Sequence, residues 1–210
     1  MQLYSYLEKN YRPCEPIFLA DIAISGTSDA NIRQSIKTLC DMQKIVRYDS
    51  GIYYLPATSK LTGEVPFSAS HVAKIKYIEK SGKIFGYYTG YTFANKLGLT
   101  AHVPHVQEIT TNNAGGLCRT VSIRGIQFLL RKPRTEITHA NSSILQLLDA
   151  LKDFDSYVDK INDNARKQLV LFIKQKKIKK ARVNEYISLY PDKVYRTIYE
   201  LELHHAFAQK

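Results

Sequence analysis

The stretch from Phe18 to Pro56 constrains the fold of this chain more than any other part of the sequence. The spacing of its apolar residues predicts a short helix over Leu19–Ile24, a turn at Gly26 and a longer helix from Asp29 to about Lys44. Ser28 precedes the longer helix, and its hydroxyl can accept a hydrogen bond from an N–H group of the first turn. The sequence therefore predicts two consecutive helices with a defined start to the second.

The longer helix is predicted to have one apolar and one polar face. Ile32, Ile36 and Leu39 recur at helical spacing and fall on one side, which is typical of a helix that packs on a core. The opposite side carries small, polar and charged residues: Ala30, Asn31, Gln34, Lys37, Thr38 and Asp41. This polar face is available for contacts with a partner.

A β-hairpin is predicted directly after these helices. Residues Ile45–Tyr54 form two runs rich in β-branched and aromatic residues, joined at Asp49-Ser50-Gly51, where glycine readily adopts the positive φ of a tight turn. An opening helix over Gln2–Tyr11 has an apolar stripe formed by Leu3, Tyr6 and Leu7. The order of three helices and a hairpin indicates a winged helix-turn-helix domain over residues 1–56.

A domain of this kind places the second helix of its motif in the major groove of DNA, where the first residues of that helix reach base edges. Asn31 and Gln34 can each form a pair of hydrogen bonds with adenine, whereas Lys37 and Arg47 are better suited to phosphates. The predicted base-reading residues are Asn31, Gln34 and Thr38, and the predicted phosphate contacts are Ser28, Lys37 and Arg47. The alternative is that this small unit binds protein rather than DNA.

Charge is unevenly distributed along the chain, whose formal net charge is +11. Residues 1–56 contain 6 Lys or Arg and 6 Asp or Glu, a net charge of 0, while residues 57–140 (11 and 4) carry +7 and residues 141–210 (13 and 9) carry +4. A neutral module gains little attraction from DNA phosphates. Specific binding is therefore expected to need a second copy of the chain, the basic remainder, or both.

No pattern in the sequence predicts an enzyme, a cofactor or a membrane protein. Cys14, Cys40 and Cys118 are far apart, so we expect reduced thiols in a cytoplasm, and no 18 apolar residues occur in succession. The block that begins at Gly86 lacks the Gly-Lys-Thr/Ser of a phosphate-binding loop. His102-x-x-His105 lacks further ligands to complete a metal site, and packing or surface histidines are expected there.

The composition of Pro56–Pro66 predicts a linker over residues 57–66, followed by a second domain over residues 67–210. In that domain Ser70 is predicted to cap a helix that reaches about Ser81 and ends at Gly82. Thr92 is predicted to cap a short helix, Phe93–Leu97.

The centre of the second domain is predicted to contain a small antiparallel sheet. Val106–Thr111 and Arg119–Arg124 alternate as strands and are expected to form a hairpin. Gly125 allows a further reversal before Ile126–Arg131, and Glu136–Thr138 could add an edge strand. Together with the helices on either side, these strands predict an α+β fold.

The last third of the chain is predicted to be helical. Asn141 caps a helix that reaches about Tyr157, and three more helices are expected over Asn164–Lys180, Val183–Leu189 and Val194–His205. This region carries the strongest run of positive charge: Lys174, Lys176, Lys177, Lys179, Lys180 and Arg182. The run is either a solvated helix face or a dock for phosphates or an acidic partner. A second group of cations, Arg119, Arg124, Arg131, Lys132 and Arg134, follows the strands without a single predicted face.

The chain resembles the AbiEi-type antitoxins and transcriptional regulators of bacterial type IV toxin–antitoxin (abortive infection) systems. The resemblance rests on the N-terminal winged helix, the block Gly86-Tyr-Tyr-Thr-Gly-Tyr-Thr-Phe-Ala-Asn-Lys-Leu-Gly-Leu-Thr100 and Glu108-Ile-Thr-Thr-Asn112, and covers nearly the whole chain. It implies a bacterial cytoplasmic protein without enzymatic activity that represses its own operon by binding inverted repeats of operator DNA. It also implies that the second domain counteracts a nucleotidyltransferase-like toxin without needing a stable complex, and it assigns no catalytic residue.

Two other classes of function remain open on the sequence alone. One is a DNA-targeting subunit of a nuclease or modification system, which would need a pair of carboxylates with a lysine near the sheet, whereas Glu108 and Glu136 stand isolated in the sequence. The other is a winged-helix module that binds only protein. A homodimer on DNA is compatible with the first interpretation, the autorepressor.

Overall fold

A computed structural model of the chain describes residues 2–57, 66–158 and 163–207, and these residues form helices and small sheets. The predicted α+β class is confirmed. The chain divides into two compact units, Met1–Val72 and Ala73–Lys210. Residues 58–65 of the predicted linker lie outside the described residues.

Residues 2–57 of the first unit form two helices and a three-stranded antiparallel sheet of strand order β1-β3-β2. Its elements are α1 Gln2–Asn10, β1 Ile17–Phe18, a 3-10 turn Leu19–Asp21, α2 Asp29–Asp41, β2 Val46–Asp49 and β3 Ile52–Tyr54. The opening helix, the long helix and the hairpin are therefore confirmed. The core lies between them and includes Leu7, Ile17, Ile36, Ile45 and Tyr53.

The short helix predicted over Leu19–Ile24 is wrong, because only Leu19–Asp21 forms a single 3-10 turn. Ile22 is buried and extended, with φ −83 and ψ 110. Two β-branched residues, Ile22 and Ile24, favour extended backbone and leave too few residues for an α-helix. The N–H of Leu19 is instead bonded to the carbonyl of Gly51 in the hairpin turn, at 2.9 Å.

The second unit starts within α3, Ala69–Tyr77, and continues into a two-stranded hairpin of β4 Glu79–Lys80 and β5 Lys83–Ile84. The predicted helix from Ser70 to Ser81 is therefore too long. Ser68, rather than Ser70, accepts from the N–H of His71 at 3.2 Å. Gly82 lies in the hairpin turn with φ +77 instead of ending a helix.

Four further strands form the main sheet in the order β6-β7-β9-β8: β6 Gly86–Tyr88, β7 Val106–Thr111, β8 Cys118–Ile123 and β9 Ile126–Arg131. The predicted hairpin of β7 with β8 is wrong, because β9 lies between them and pairs in parallel with β7, so the sheet is mixed rather than antiparallel. Arg124 and Gly125, with φ +47 and +81, form the tight turn that fixes β9 beside β8.

The edge strand predicted over Glu136–Thr138 is wrong, since these residues lie in a loop. The side-chain amide of Asn112 takes the place of a neighbouring strand. It accepts from the N–H of Ile137 and donates to its carbonyl, both at 2.9 Å. Ile137 is held in the core in this way without joining the sheet.

Helices cover the rest of the second unit: α4 Gly90–Leu97, α5 Ser142–Lys152, α6 Phe154–Tyr157, α7 Asp163–Gln175, α8 Lys180–Ile187 and α9 Lys193–Glu200, followed by a 3-10 turn Leu203–His205. The helical C-terminal part is therefore confirmed. The helix predicted from Asn141 to Tyr157 is interrupted at Asp153. Leu147, Leu148 and Leu151 of α5 pack with Leu169 and Ile173 of α7 in one core cluster.

Candidate functional sites

Helix α2 buries one face and exposes the other, as its sequence predicts. Ile32, Ile36 and Leu39 are buried, while Asn31, Gln34, Lys37 and Thr38 are exposed. The hydroxyl of Thr38 donates to the carbonyl of Gln34 at 3.1 Å, so its proton is engaged within the helix. Asn31 and Gln34 keep the full donor and acceptor capacity of exposed amides towards solvent.

The predicted phosphate contacts lie at different parts of the first unit. Ser28 is the N-cap of α2, and its hydroxyl accepts from the N–H of Asn31 at 3.3 Å. Lys37 lies on the polar face of α2, whereas Arg47 is exposed on β2, where its Nε donates to the carbonyl of Asp49 at 3.5 Å. The sequence prediction omitted Arg33, which is exposed on α2 four residues before Lys37 and therefore on the same side of the helix.

A cavity of about 550 Å³ lies between α1 and α2. Gln34 and Thr38 line one side of it, and Gln2 and Tyr4 of α1 line the other. Met42, at the end of α2, also borders this cavity and is 61% exposed. The polar face of α2 is thus continuous with an open groove next to α1.

The basic tract at the end of α7 is exposed almost throughout. Lys174, Lys176, Lys177, Lys179 and Lys180 are exposed, and the buried Ile178 anchors the turn between α7 and α8. Arg182 differs, because it is half-buried and forms an ion pair with Glu185. Its charge is compensated within the protein, so five lysines rather than six cations are available to an anionic partner.

A second cavity, of about 490 Å³, lies in the second unit where the main sheet meets α4 and α5. Pairing of Thr110 with Arg131 in the parallel register places Glu108, Thr110 and Arg131 on the same face of the sheet. We call this cavity the sheet cavity. It is lined by Thr89, Gly90, Tyr91, Glu108, Thr110, Arg131, Lys132, Pro133, Arg134, Asp149, Lys152, Asp153, Ser156 and Tyr157.

Glu108 is held firmly in the wall of the sheet cavity. One carboxylate oxygen accepts from the N–H of Tyr91 at 3.1 Å, and the other accepts from Nε and Nη2 of Arg131 at 3.1 and 2.8 Å. Its backbone N–H donates to the hydroxyl of Thr92 at 2.8 Å, so Thr92 lies inside α4 and is not the predicted cap. Gly90 has φ +57, and a Cβ there would overlap the Glu108 carboxylate. Glycine is therefore required at this position for two reasons.

Asp149 of α5 forms the polar floor of the sheet cavity. Its Oδ2 accepts from the hydroxyls of Tyr87, Thr89 and Thr110 at 2.9, 3.3 and 3.4 Å. Burial of the carboxylate raises its pKa above the usual value, although hydrogen bonds and nearby cations act in the opposite direction. Burial and the negative charge of Asp149 likewise raise the pKa of Tyr87.

Sequence reasoning missed this cavity because its residues come from four separate stretches of the chain. It did find three of the cations, Arg131, Lys132 and Arg134, but grouped them with Arg119. The register places Arg119 opposite Leu130, on the other face of the sheet from Arg131. The second group of cations predicted from the sequence is therefore split between the two faces of the sheet.

The sequence also raises the questions of a metal site at His102 and of membrane-spanning helices. The ring of His102 packs edge-on against Tyr91, with centroids 5.3 Å apart. Within residues 2–57, 66–158 and 163–207, no group of three or more His, Cys, Asp or Glu is placed to hold a metal ion. None of the helices in these ranges is long and apolar enough to cross a membrane.

Comparison with protein families gives a match over most of the chain. Residues 7–181 match the model of a family described as a family of unknown function, DUF6088. No curated protein matches the chain.

Proposed function

The chain belongs to the DUF6088 family, whose function is unknown, and we propose that it is a DNA-binding transcriptional autorepressor and antitoxin of a bacterial type IV toxin–antitoxin system. In this proposal residues 1–56 are a winged helix-turn-helix domain in which α2 is the recognition helix and the β2–β3 hairpin is the wing. The protein acts in the cytoplasm, needs no cofactor and catalyses no reaction.

The observation that carries the proposal is the arrangement of α2 within the first unit. Helix α2 is capped by Ser28, packs on the core through one face and exposes a face of amides and cations that is suited to DNA. The β2–β3 hairpin follows the helix and pairs with β1, which precedes it, and this order supports the interpretation as a winged helix. The reduced first helix of the motif, Leu19–Asp21, is the departure from the usual pattern.

Charge supports a binding mode in which this domain does not act alone. The domain itself is neutral, whereas the remainder of the chain carries the excess of 11 positive charges. The five exposed lysines at the end of α7 are the densest part of this excess. Two copies on an inverted repeat, with phosphate contacts from these lysines, would supply the electrostatic attraction that one neutral module lacks.

The antitoxin part of the proposal rests on the resemblance of the Gly86–Thr100 block to AbiEi-type antitoxins. A nuclease is the competing function, because Glu108 and Asp149 line one cavity with Lys152. We favour the antitoxin, since Glu108 is already bound by Arg131 and Asp149 by three hydroxyls, which leaves little acceptor capacity for catalysis. Co-expression with a nucleotidyltransferase-like toxin from the same operon tests this part: growth should be restored by the second unit.

The DNA-binding part is tested with single substitutions on α2. Asn31→Ala and Gln34→Ala should weaken binding to the native operator by roughly 1 to 3 kcal/mol each, and binding to random DNA much less, because base contacts carry the specificity. Lys37→Ala should weaken both about equally. Asn164→Ala is the matched control, since Asn164 is exposed in the first turn of α7. Mobility shifts that leave the ratio of specific to random binding unchanged in both amide variants would refute the assignment of α2.

A further inference from the structure

Some of the cationic side chains that line the sheet cavity are not engaged in ion pairs. Arg131 is paired with Glu108 at 2.8 Å, and Lys152 is paired with Asp153 at 3.0 Å. The Asp149 carboxylate accepts from three hydroxyls and forms no ion pair among the described residues; burial raises its pKa, while the nearby charges of Lys152 and Arg134 act in the opposite direction. Lys132 and Arg134 remain, and among the described residues neither has a carboxylate within ion-pair distance.

The backbone of Lys132 and the guanidinium of Arg134 are each fixed by neighbouring groups. The N–H of Lys132 donates to the carbonyl of Leu117 at 3.0 Å, and Pro133 fixes the next φ. Nη1 of Arg134 donates to the carbonyl of Leu189 at 2.9 Å, and its guanidinium lies 4.9 Å from the centre of the Tyr190 ring. A neutral carbonyl and an aromatic ring orient the guanidinium, which attracts the Asp149 carboxylate but forms no ion pair among the described residues. The rim of the cavity therefore presents two positive charges, and that of Arg134 is held in a fixed position.

The interior beyond this rim offers hydrogen-bonding groups and aromatic surface. The hydroxyls of Thr89 and Thr110 donate to Asp149, but their oxygens can still accept hydrogen bonds. Tyr91 and Tyr157 lie edge-to-face, with ring centroids 5.1 Å apart. A volume of about 490 Å³ is in the range of pockets that enclose small organic ligands. Phosphate complements the rim, ribose hydroxyls complement the oxygens, and a planar base complements the tyrosines.

From this arrangement we propose that the sheet cavity binds a nucleoside phosphate. The phosphate lies against Lys132 and Arg134, and the nucleoside points inwards towards Asp149 and the two tyrosines. This site is separate from α2 and is not needed for the proposed recognition of DNA bases. Lys132 is a binding residue with no other role in the described structure, so its removal should not disturb folding.

Isothermal titration calorimetry of the full-length protein tests the proposal. The ligands are the four ribonucleoside monophosphates and triphosphates, with inorganic phosphate, adenosine and a short single-stranded oligonucleotide as separate arms. At least one nucleoside phosphate should bind at one site per chain, and more tightly than phosphate or adenosine. Lys132→Gln should reduce this affinity by about tenfold or more, as expected for the loss of a charged contact to phosphate. Lys83→Gln is the matched control, because Lys83 is exposed on β5 outside the cavity, and should change nothing.

Three results would overturn the proposal. The first is that no nucleoside phosphate binds with a Kd below about 1 mM, the level of a weak ligand. The second is that the affinities of Lys132→Gln and of the wild type are equal. The third is that the oligonucleotide alone binds in a Lys132-dependent manner, which would make the cavity a contact for a nucleic-acid strand. Thermal unfolding of each variant shows whether the fold is intact.

Discussion

Substitution of Gly90 by alanine tests how tightly the wall of the sheet cavity is built. The change imposes a side chain at φ +57, which costs an L-residue about 1 to 2 kcal/mol. The new Cβ would also displace the Glu108 carboxylate from the N–H of Tyr91 and from Arg131. Leaving a partly buried N–H without its charged acceptor costs about 1.5 to 3 kcal/mol, while the Arg131 pair adds less than about 1 because that side chain is 46% exposed. The expected loss in the free energy of unfolding is therefore about 2.5 to 6 kcal/mol.

Two further variants separate the backbone strain from the displaced carboxylate. Gly98→Ala introduces alanine at φ +77 with no atom nearer than 3.8 Å to the new Cβ, so it should cost only the strain of about 1 to 2 kcal/mol. In a Glu108→Ala background, Gly90→Ala should cost no more than Gly98→Ala, because the obstacle is gone. Urea denaturation that follows the transition of the second unit measures each value. An equal cost of Gly90→Ala with and without Glu108 would refute the reasoning.

Three other predictions concern separate parts of the chain. Ser28→Ala should lower the stability of the first unit by about 1 kcal/mol in chemical denaturation, since one N–H at the start of α2 loses its acceptor, and an unchanged midpoint would contradict this. Because the folded pKa of Asp149 is raised above 3.8, the stability that this carboxyl contributes is fully present below that pH and is lost as pH rises. Asp149→Asn should therefore become more stable relative to wild type as the pH rises above 3.8. The gain is about 1.4 kcal/mol for each pH unit by which folding raises the pKa of Asp149. A stability difference between the two proteins that does not change with pH would contradict the raised pKa of Asp149. Changing Lys176, Lys177, Lys179 and Lys180 together to Gln should reduce the slope of log affinity for the operator against log salt concentration by about 0.9 for each lysine that contacts a phosphate. The preference for the operator sequence should remain. An unchanged slope would show that these lysines do not contact DNA.

The elements that sequence reasoning located well are those defined by local patterns. The apolar spacing of Ile32, Ile36 and Leu39 placed α2 within a few residues, and alternation placed β7 and β9. Strand partners were not predictable in the same way, because alternation shows that a segment is a strand but not which strand lies beside it. The reversal at Gly125 is predicted, but no local pattern shows that β9 rather than β8 lies beside β7.

The two candidate sites also differ in how far local sequence patterns could predict them. The polar face of α2 comes from one helix, so its exposed residues followed from helical periodicity alone. The sheet cavity combines Glu108, Arg131 and Asp149 from β7, β9 and α5, and no spacing in the sequence relates these residues. Glu108 therefore looked isolated, although Arg131 binds it in the folded chain.

The most direct test of the central claim is the affinity of the full-length protein for the DNA upstream of its own gene. Equilibrium titrations at physiological salt would compare this duplex with a scrambled duplex of equal length and composition. A sequence-specific repressor should prefer its operator by about 10³-fold or more. Equal affinity for the two duplexes, or no binding to either, would contradict the proposal that the first unit reads DNA.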